Sequence, residues 1–93
     1  MNEVRRNDAE SRYELEVDGR LAIAEYRMED GAVAFTHTVV PPELEGRGIG
    51  SRLIGGALDD VRARGLAFVP YCTFVAAYAD RRPEVRDLEA FRP

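Results

Sequence analysis

The chain contains no lysine and no tryptophan, one cysteine, one histidine and no long apolar run. A lone cysteine, Cys72, excludes an internal disulfide and any all-cysteine metal site. With His37 the only histidine, no zinc-ligand spacing exists, and no metal is expected. No apolar stretch approaches the roughly 20 residues needed to span a bilayer. The polar segment from Asn2 to Arg12 lacks the apolar centre of a signal peptide. A soluble, cytoplasmic protein without a membrane partner is therefore expected. All 13 basic residues are arginine, yet the net charge is −4. That balance argues against sequence-independent nucleic-acid binding, which needs concentrated positive charge. It mildly favours a cationic substrate.

What is present suits one domain over residues 1–93, a length within reach of a single core. Residues 1–10 show no periodicity and are expected to fray. From Arg12 to Val17, Tyr13, Leu15 and Val17 alternate with Arg12, Glu14 and Glu16, the period of a half-buried strand. Asp18-Gly19 is a two-residue hairpin signal. A second strand follows over Leu21 to Arg27, with Leu21, Ile23 and Glu25 on one face. Asp30-Gly31 marks another turn, and Ala32 to Val40 reads as a third strand carrying Val33, Phe35, His37 and Val39 on one face. The natural assembly is an antiparallel meander.

Pro41-Pro42 ends the third strand, because proline lacks the N–H a ladder needs. Glu45-Gly46-Arg47-Gly48-Ile49-Gly50 then leads into Ile49, Leu53, Ile54, Ala57, Leu58 and Val61 at helical spacing, with Gly65 as the stop. Gly55 and Gly56 interrupt this helix, either as tolerated residues or because it approaches the sheet closely. A glycine loop opening a helix presents backbone N–H groups at the positive end of the helix dipole, which suits phosphate. It is not a Walker A loop, because no Gly-Lys-Ser/Thr follows, and its spacing is not that of the dinucleotide fingerprint. A ligand-free connector fits the same residues. Leu66 to Val69 reads as a fourth strand buried on both faces, parallel to the third through a right-handed crossover. Phe74 to Tyr78 and the segment from Pro83 to Leu88 read as short helices.

This order, with the loop at residues 45–50, resembles the GCN5-related N-acetyltransferases, whose acetyl-CoA loop reads Arg/Gln-x-x-Gly-x-Gly/Ala ahead of a helix. It is most similar to their small, single-domain branch, which carries a His-Thr segment, a Pro-x-Cys-x-Phe-Val run and a late Pro-Glu. Here these are His37-Thr38, Pro70-Tyr71-Cys72-Thr73-Phe74-Val75 and Pro83-Glu84, and the resemblance covers residues 12 to 88. It implies an α+β fold with a mixed sheet, three antiparallel strands, the loop and helix, a fourth strand parallel to the third, and short C-terminal helices. It also implies acetyl-CoA as acyl donor and an amine as acceptor, either a small molecule or a protein lysine. Two positions depart from the pattern: Glu45 stands where the family has Arg or Gln, and Arg82 where a histidine often precedes Pro-Glu.

For the donor, the candidate residues are Arg47, Gly48, Ile49, Gly50, Ser51 and Arg52, the N–H groups converging on a diphosphate and an arginine compensating for Glu45. For the chemistry they are Cys72, His37 and Tyr78. A cysteine thiolate can attack the acyl group, or the thiol can protonate the departing CoA sulfur. It is equally a small buried hydrophobe. Histidine is the residue type suited to taking a proton near neutrality, and His37 fills that role or orients Cys72, unless it is a hydrogen-bonded core residue. Tyr78 can protonate the CoA sulfur or simply pack. So small a chain leaves little protein for an acceptor pocket, so a shallow site is expected, or one completed by a partner or second copy. The alternative to an enzyme is a non-catalytic acyl-CoA-binding or protein-interaction module.

Overall fold

The computed structural model describes residues 3–93. Five strands form one sheet in the order β1 (Arg5–Asn7), β2 (Arg12–Val17), β3 (Arg20–Glu29), β4 (Ala32–Val39) and β5 (Ala67–Pro70). The first four run antiparallel, and β5 is parallel to β4. Helix α1 (Ile49–Ala63) is the crossover between β4 and β5, and α2 (Thr73–Asp80) follows β5. Short 3-10 turns occupy Pro42–Leu44 and Pro83–Leu88. This is the mixed α+β architecture expected from the strand pattern.

The β2–β3 and β3–β4 hairpins are built on Asp-Gly pairs in the left-handed region, Asp18-Gly19 at φ 53° and 74° and Asp30-Gly31 at 48° and 79°. That backbone matches the twist of the flanking strands. Tyr13, Leu15 and Val17 of β2 point inward as their alternation predicts. On β3 the buried face is Ala22, Ala24 and Tyr26, while Leu21, Ile23 and Glu25 share the outer face. Helix α1 lays Ile49, Leu53, Ile54, Ala57, Leu58 and Val61 against the inner face. It stops at Gly65, φ 68°, where the Leu66 N–H reaches Val61 O and the Gly65 N–H reaches Arg62 O, each at 3.0 Å. That pairing satisfies carbonyls the helix end would otherwise leave open.

Two expectations need correcting. Residues 5–7 are not frayed; they form the edge strand β1, with Met1 and Asn2 outside the described residues. What holds β1 is tertiary: Val4, just before it, packs where Gly56 has no side chain, and a Cβ there would lie 2.5 Å from Val4 Cγ2. Of the two readings open for Gly55 and Gly56, close approach is the one observed, but to the Tyr78 hydroxyl and to Val4 rather than to the sheet. The second correction concerns β4. Glu25 pairs with His37 but Tyr26 pairs with Phe35, so Thr36 is an extra residue, a β-bulge. The bulge reverses the alternation beyond it, turning His37 and Val39 away from the face that holds Val33 and Phe35.

Asp60 on α1 ties the helix to β1 and β2. It accepts hydrogen bonds from Tyr13 Oη at 2.6 Å and Arg6 at 2.8 Å, with Arg64 at 3.6 Å. Burial, then the bond to Asp60, pushes the Tyr13 phenol well above its ordinary range. A group whose folded pKa is raised contributes stability that is present below its unfolded pKa and lost as pH rises toward the folded value. Urea unfolding of the wild type should therefore show stability falling above about pH 10, the ordinary tyrosine value. Tyr13→Phe should flatten that fall; equal slopes in the two proteins would contradict the assignment.

Candidate functional site

β4 and β5 pair only as far as Phe35 and Pro70. Beyond that point the chain after β5 turns into α2, and the Cys72 N–H closes the fork with a 3.0 Å bond to Phe35 O. The rest of β4 therefore has a free edge toward α2. A cleft of about 500 Å³ opens there, bounded by Thr38, Val39 and Val40, by Leu44 and the loop, by the first turn of α1, and by Phe74.

The loop forms one wall because of its glycines. Gly48 is the N-cap of α1 at φ 72°, a left-handed conformation that side-chain-bearing residues rarely adopt. The first ladder bond of α1 runs from the Arg52 N–H to Gly48 O, 3.1 Å. The N–H groups of Ile49, Gly50 and Ser51 thus precede the ladder and are left to an outside acceptor. Phe74 of α2 leans on this turn so closely that a Cβ at Gly50 would meet its Cζ at 2.5 Å. The donor set is oriented backbone amides at a helix N-terminus, chemistry that fits a phosphate group.

Gly48, Ile49, Gly50 and Ser51 line the cleft; Arg47 and Arg52 do not. Arg47 NH1 is bound to Asp18 Oδ2 of the β2–β3 turn at 2.8 Å, and Arg52 is exposed on the first turn of α1. Glu45 stands in the cleft wall, exposed, with no ion-pair partner among the described residues. Cys72 lies directly behind the cleft as the N-cap residue of α2, its Sγ 3.4 Å from Thr38 Oγ1. Thr38, which lines the cleft, is a site residue that residue type alone does not single out; its one sequence signal is its place beside His37.

The other two candidate side chains are not brought to Cys72. Tyr78 is buried, its hydroxyl against Gly55 midway along α1 and Arg82 stacked 5.2 Å over its ring. His37, far from being a core residue, is largely exposed on the outer face, with Nδ1 3.6 Å from Glu25 Oε1. Among the described residues no group of three or more His, Cys, Asp or Glu side chains is placed to hold a metal ion, and no helix is long and apolar enough to cross a membrane.

Comparison with known proteins agrees with this geometry. The family model described as GCN5-related N-acetyl-transferase matches residues 12–88, from the start of β2 to the last 3-10 turn. No curated protein matches the chain significantly. The matched span takes in every strand but β1, both helices, the glycine loop and the forked strands, and the chain belongs to the GCN5-related N-acetyltransferase family.

Proposed function

We propose that the protein transfers an acetyl group from acetyl-CoA to an amine, either a small molecule or a protein lysine. The observation that carries this reading is the cleft at the strand fork, walled by the unladdered N–H groups of Ile49, Gly50 and Ser51. Those groups and the turn at Gly48 are the residues that would hold the donor diphosphate. Arg47 can join them: its exposed pair with Asp18 is worth at most about 1 kcal/mol, so exchanging that partner for a phosphate is cheap. The apolar walls, Val39, Val40, Leu44, Ile49 and Phe74, suit an acyl-carrying arm. When bound, acetyl-CoA supplies an acyl carbon already activated by its thioester. At the fork, the Thr38 hydroxyl and the Cys72 thiol share one hydrogen bond, so a proton can be held at Oγ1 and replaced from Sγ behind it.

A second reading, a non-catalytic acyl-CoA-binding module, draws on Glu45, whose unpaired carboxylate stands in the same cleft. Two measurements separate the cases. Acetyl-CoA at 100 times its Kd should stabilise the fold by about 2.7 kcal/mol. That is on the order of a 10 °C rise in Tm for a domain of this size. Free CoA should then appear when a primary amine is added. No thermal shift at millimolar acetyl-CoA in a folded sample would end the donor assignment, whereas a shift without CoA release would favour the module.

A further inference from the structure

We propose that Arg82, held on the ring of Tyr78, receives the 3′-phosphate of the donor, so that the protein distinguishes CoA from its dephospho form. This rests on the acyl-transfer reading above and adds a second anion site to the amide cradle at the start of α1.

The site begins in the seam between the two helices. Helix α2 meets α1 at two glycines: a Cβ at Gly50 would lie 2.5 Å from Phe74 Cζ, and one at Gly55 would lie 3.0 Å from the Tyr78 hydroxyl. Phe74 and Tyr78 are four residues apart, so both rings stand on one face of α2. Gly55 lies about 7.5 Å farther along α1 than Gly50, at the rise of an α-helix. The seam thus leads from the unladdered N–H groups around Gly50 to Tyr78. It ends on Arg82, whose guanidinium carbon sits 5.2 Å from the centre of the Tyr78 ring. Tyr78 is buried beneath it, and Arg82 is exposed.

The charge pattern singles out the same place. Most arginines of the chain hold a carboxylate: Arg47 is bound to Asp18 at 2.8 Å, and Arg62 to Asp87 and Arg92 to Asp80 at 3.0 Å. Arg81 and Arg82 differ. Among the described residues neither is paired with an acidic side chain, although the sequence holds 17 of them and a net charge of −4. Asp80, their nearest acidic neighbour in the chain, is taken by Arg92, and its carbonyl by Arg86 at 3.1 Å. Two adjacent, exposed cations are thus left to an outside anion.

The stacking of Arg82 decides what kind of anion fits. Contact with the ring engages the flat face of the guanidinium and leaves its N–H edge free. That edge presents parallel donors matched to two oxygens of a phosphate. The ring also restricts the side chain before a ligand arrives, which lowers the ordering cost of binding. A phosphate monoester answers best, because it carries about −1.5 to −2 charges at neutral pH and three acceptor oxygens. The donor has one such group, on the ribose to which its diphosphate is attached, so a single molecule offers an anion to each end of the seam. Arg82 is also a departure from the family pattern. A histidine there would be largely uncharged at neutral pH, whereas arginine is always charged.

Isothermal titration of the whole chain with CoA and with dephospho-CoA tests this without any assay of turnover. The wild type should bind CoA about tenfold more tightly than dephospho-CoA at low ionic strength, as expected of one charge-assisted contact, and salt should narrow the gap. Arg82→Gln should weaken CoA about tenfold and leave dephospho-CoA unchanged, which closes the gap. Arg92→Gln removes an arginine already paired with Asp80 and Glu89 and should preserve it. Thermal unfolding without ligand checks that both variants are folded, and the wild-type comparison needs no variant at all. Equal affinities for the two compounds in the wild type would overturn the proposal. So would a gap that survives Arg82→Gln, or one that closes equally in Arg92→Gln. In each of those results the donor still binds, so the acyl-transfer reading stands. Binding of neither compound at millimolar concentration would instead fell that reading and this assignment with it.

Discussion

Phe35→Ala is expected to lower the unfolding free energy by about 3–5 kcal/mol, the usual cost of removing a fully buried aromatic ring. The ring has no exposed surface and lies between Tyr13, at 6.0 Å, and Phe68, at 6.4 Å in an edge-to-face contact. It therefore joins β2, β4 and β5 across the inner face. A domain of this size has a total stability of roughly 5–15 kcal/mol, so this one change removes a large share. The consequence reaches the cleft, because the Phe35 carbonyl also receives the Cys72 N–H that closes the fork. Urea titration followed by circular dichroism measures the loss. Leu21→Ala, at a side chain 36% exposed on the outer face, is the comparison and should cost far less. A loss below 1 kcal/mol for Phe35→Ala would mean that the three strands are held together elsewhere. A normal loss of stability with an undiminished acetyl-CoA thermal shift would separate the ring's packing from any role in shaping the fork.

The elements that announce themselves in the sequence are those whose pattern and environment agree. β2 alternates cleanly because one face is core, and both Asp-Gly turns carry the left-handed backbone their residues favour. Helix α1 is legible from its apolar stripe, and its stop falls at Gly65 as expected. β1 is not legible, because Arg5–Asn7 has no apolar residue to alternate; it is a strand through its pairing with β2 and the packing of Val4 beside it. The bulge is invisible for a different reason. Ala32 to Val40 is made almost wholly of small and β-branched residues, so either phase of the alternation looks acceptable and nothing marks Thr36 as the extra residue. That one insertion decides which face of the sheet His37 occupies. Tyr78 shows a further limit of pattern: its helical phase correctly gives burial, but only the three-dimensional neighbour, Gly55, shows which wall it is buried against. The left-handed turn that opens α1 was readable from the glycines of the loop, whereas the commitment of Arg47 to Asp18 depends on a hairpin 29 residues earlier in the chain.

Gly48→Val should weaken acetyl-CoA binding by roughly 10- to 100-fold, with a smaller effect on folding. Gly48 holds φ 72° as the N-cap of α1, and a Cβ built there meets nothing within 4 Å. The obstacle is thus conformational and not steric crowding by neighbours. A β-branched residue in the left-handed region is strained by about 1–3 kcal/mol. In the free protein the loop can escape that cost by shifting, since no packed atom opposes it. Escape rotates the Gly48 peptide and re-aims the N–H groups of Ile49, Gly50 and Ser51 away from a common point. Binding would then have to restore the strained geometry, so the 1–3 kcal/mol appears in the affinity, where each 1.4 kcal/mol is tenfold. Gly48→Asn is the informative companion, because asparagine tolerates the left-handed region far better and should retain most of the affinity. Isothermal titration with acetyl-CoA and with desulfo-CoA distinguishes loss at the diphosphate, which affects both alike, from loss at the thioester, which affects only the first. If Gly48→Val and Gly48→Asn bind acetyl-CoA equally, the left-handed turn does not present the amides to the donor, and the diphosphate must be held elsewhere in the cleft.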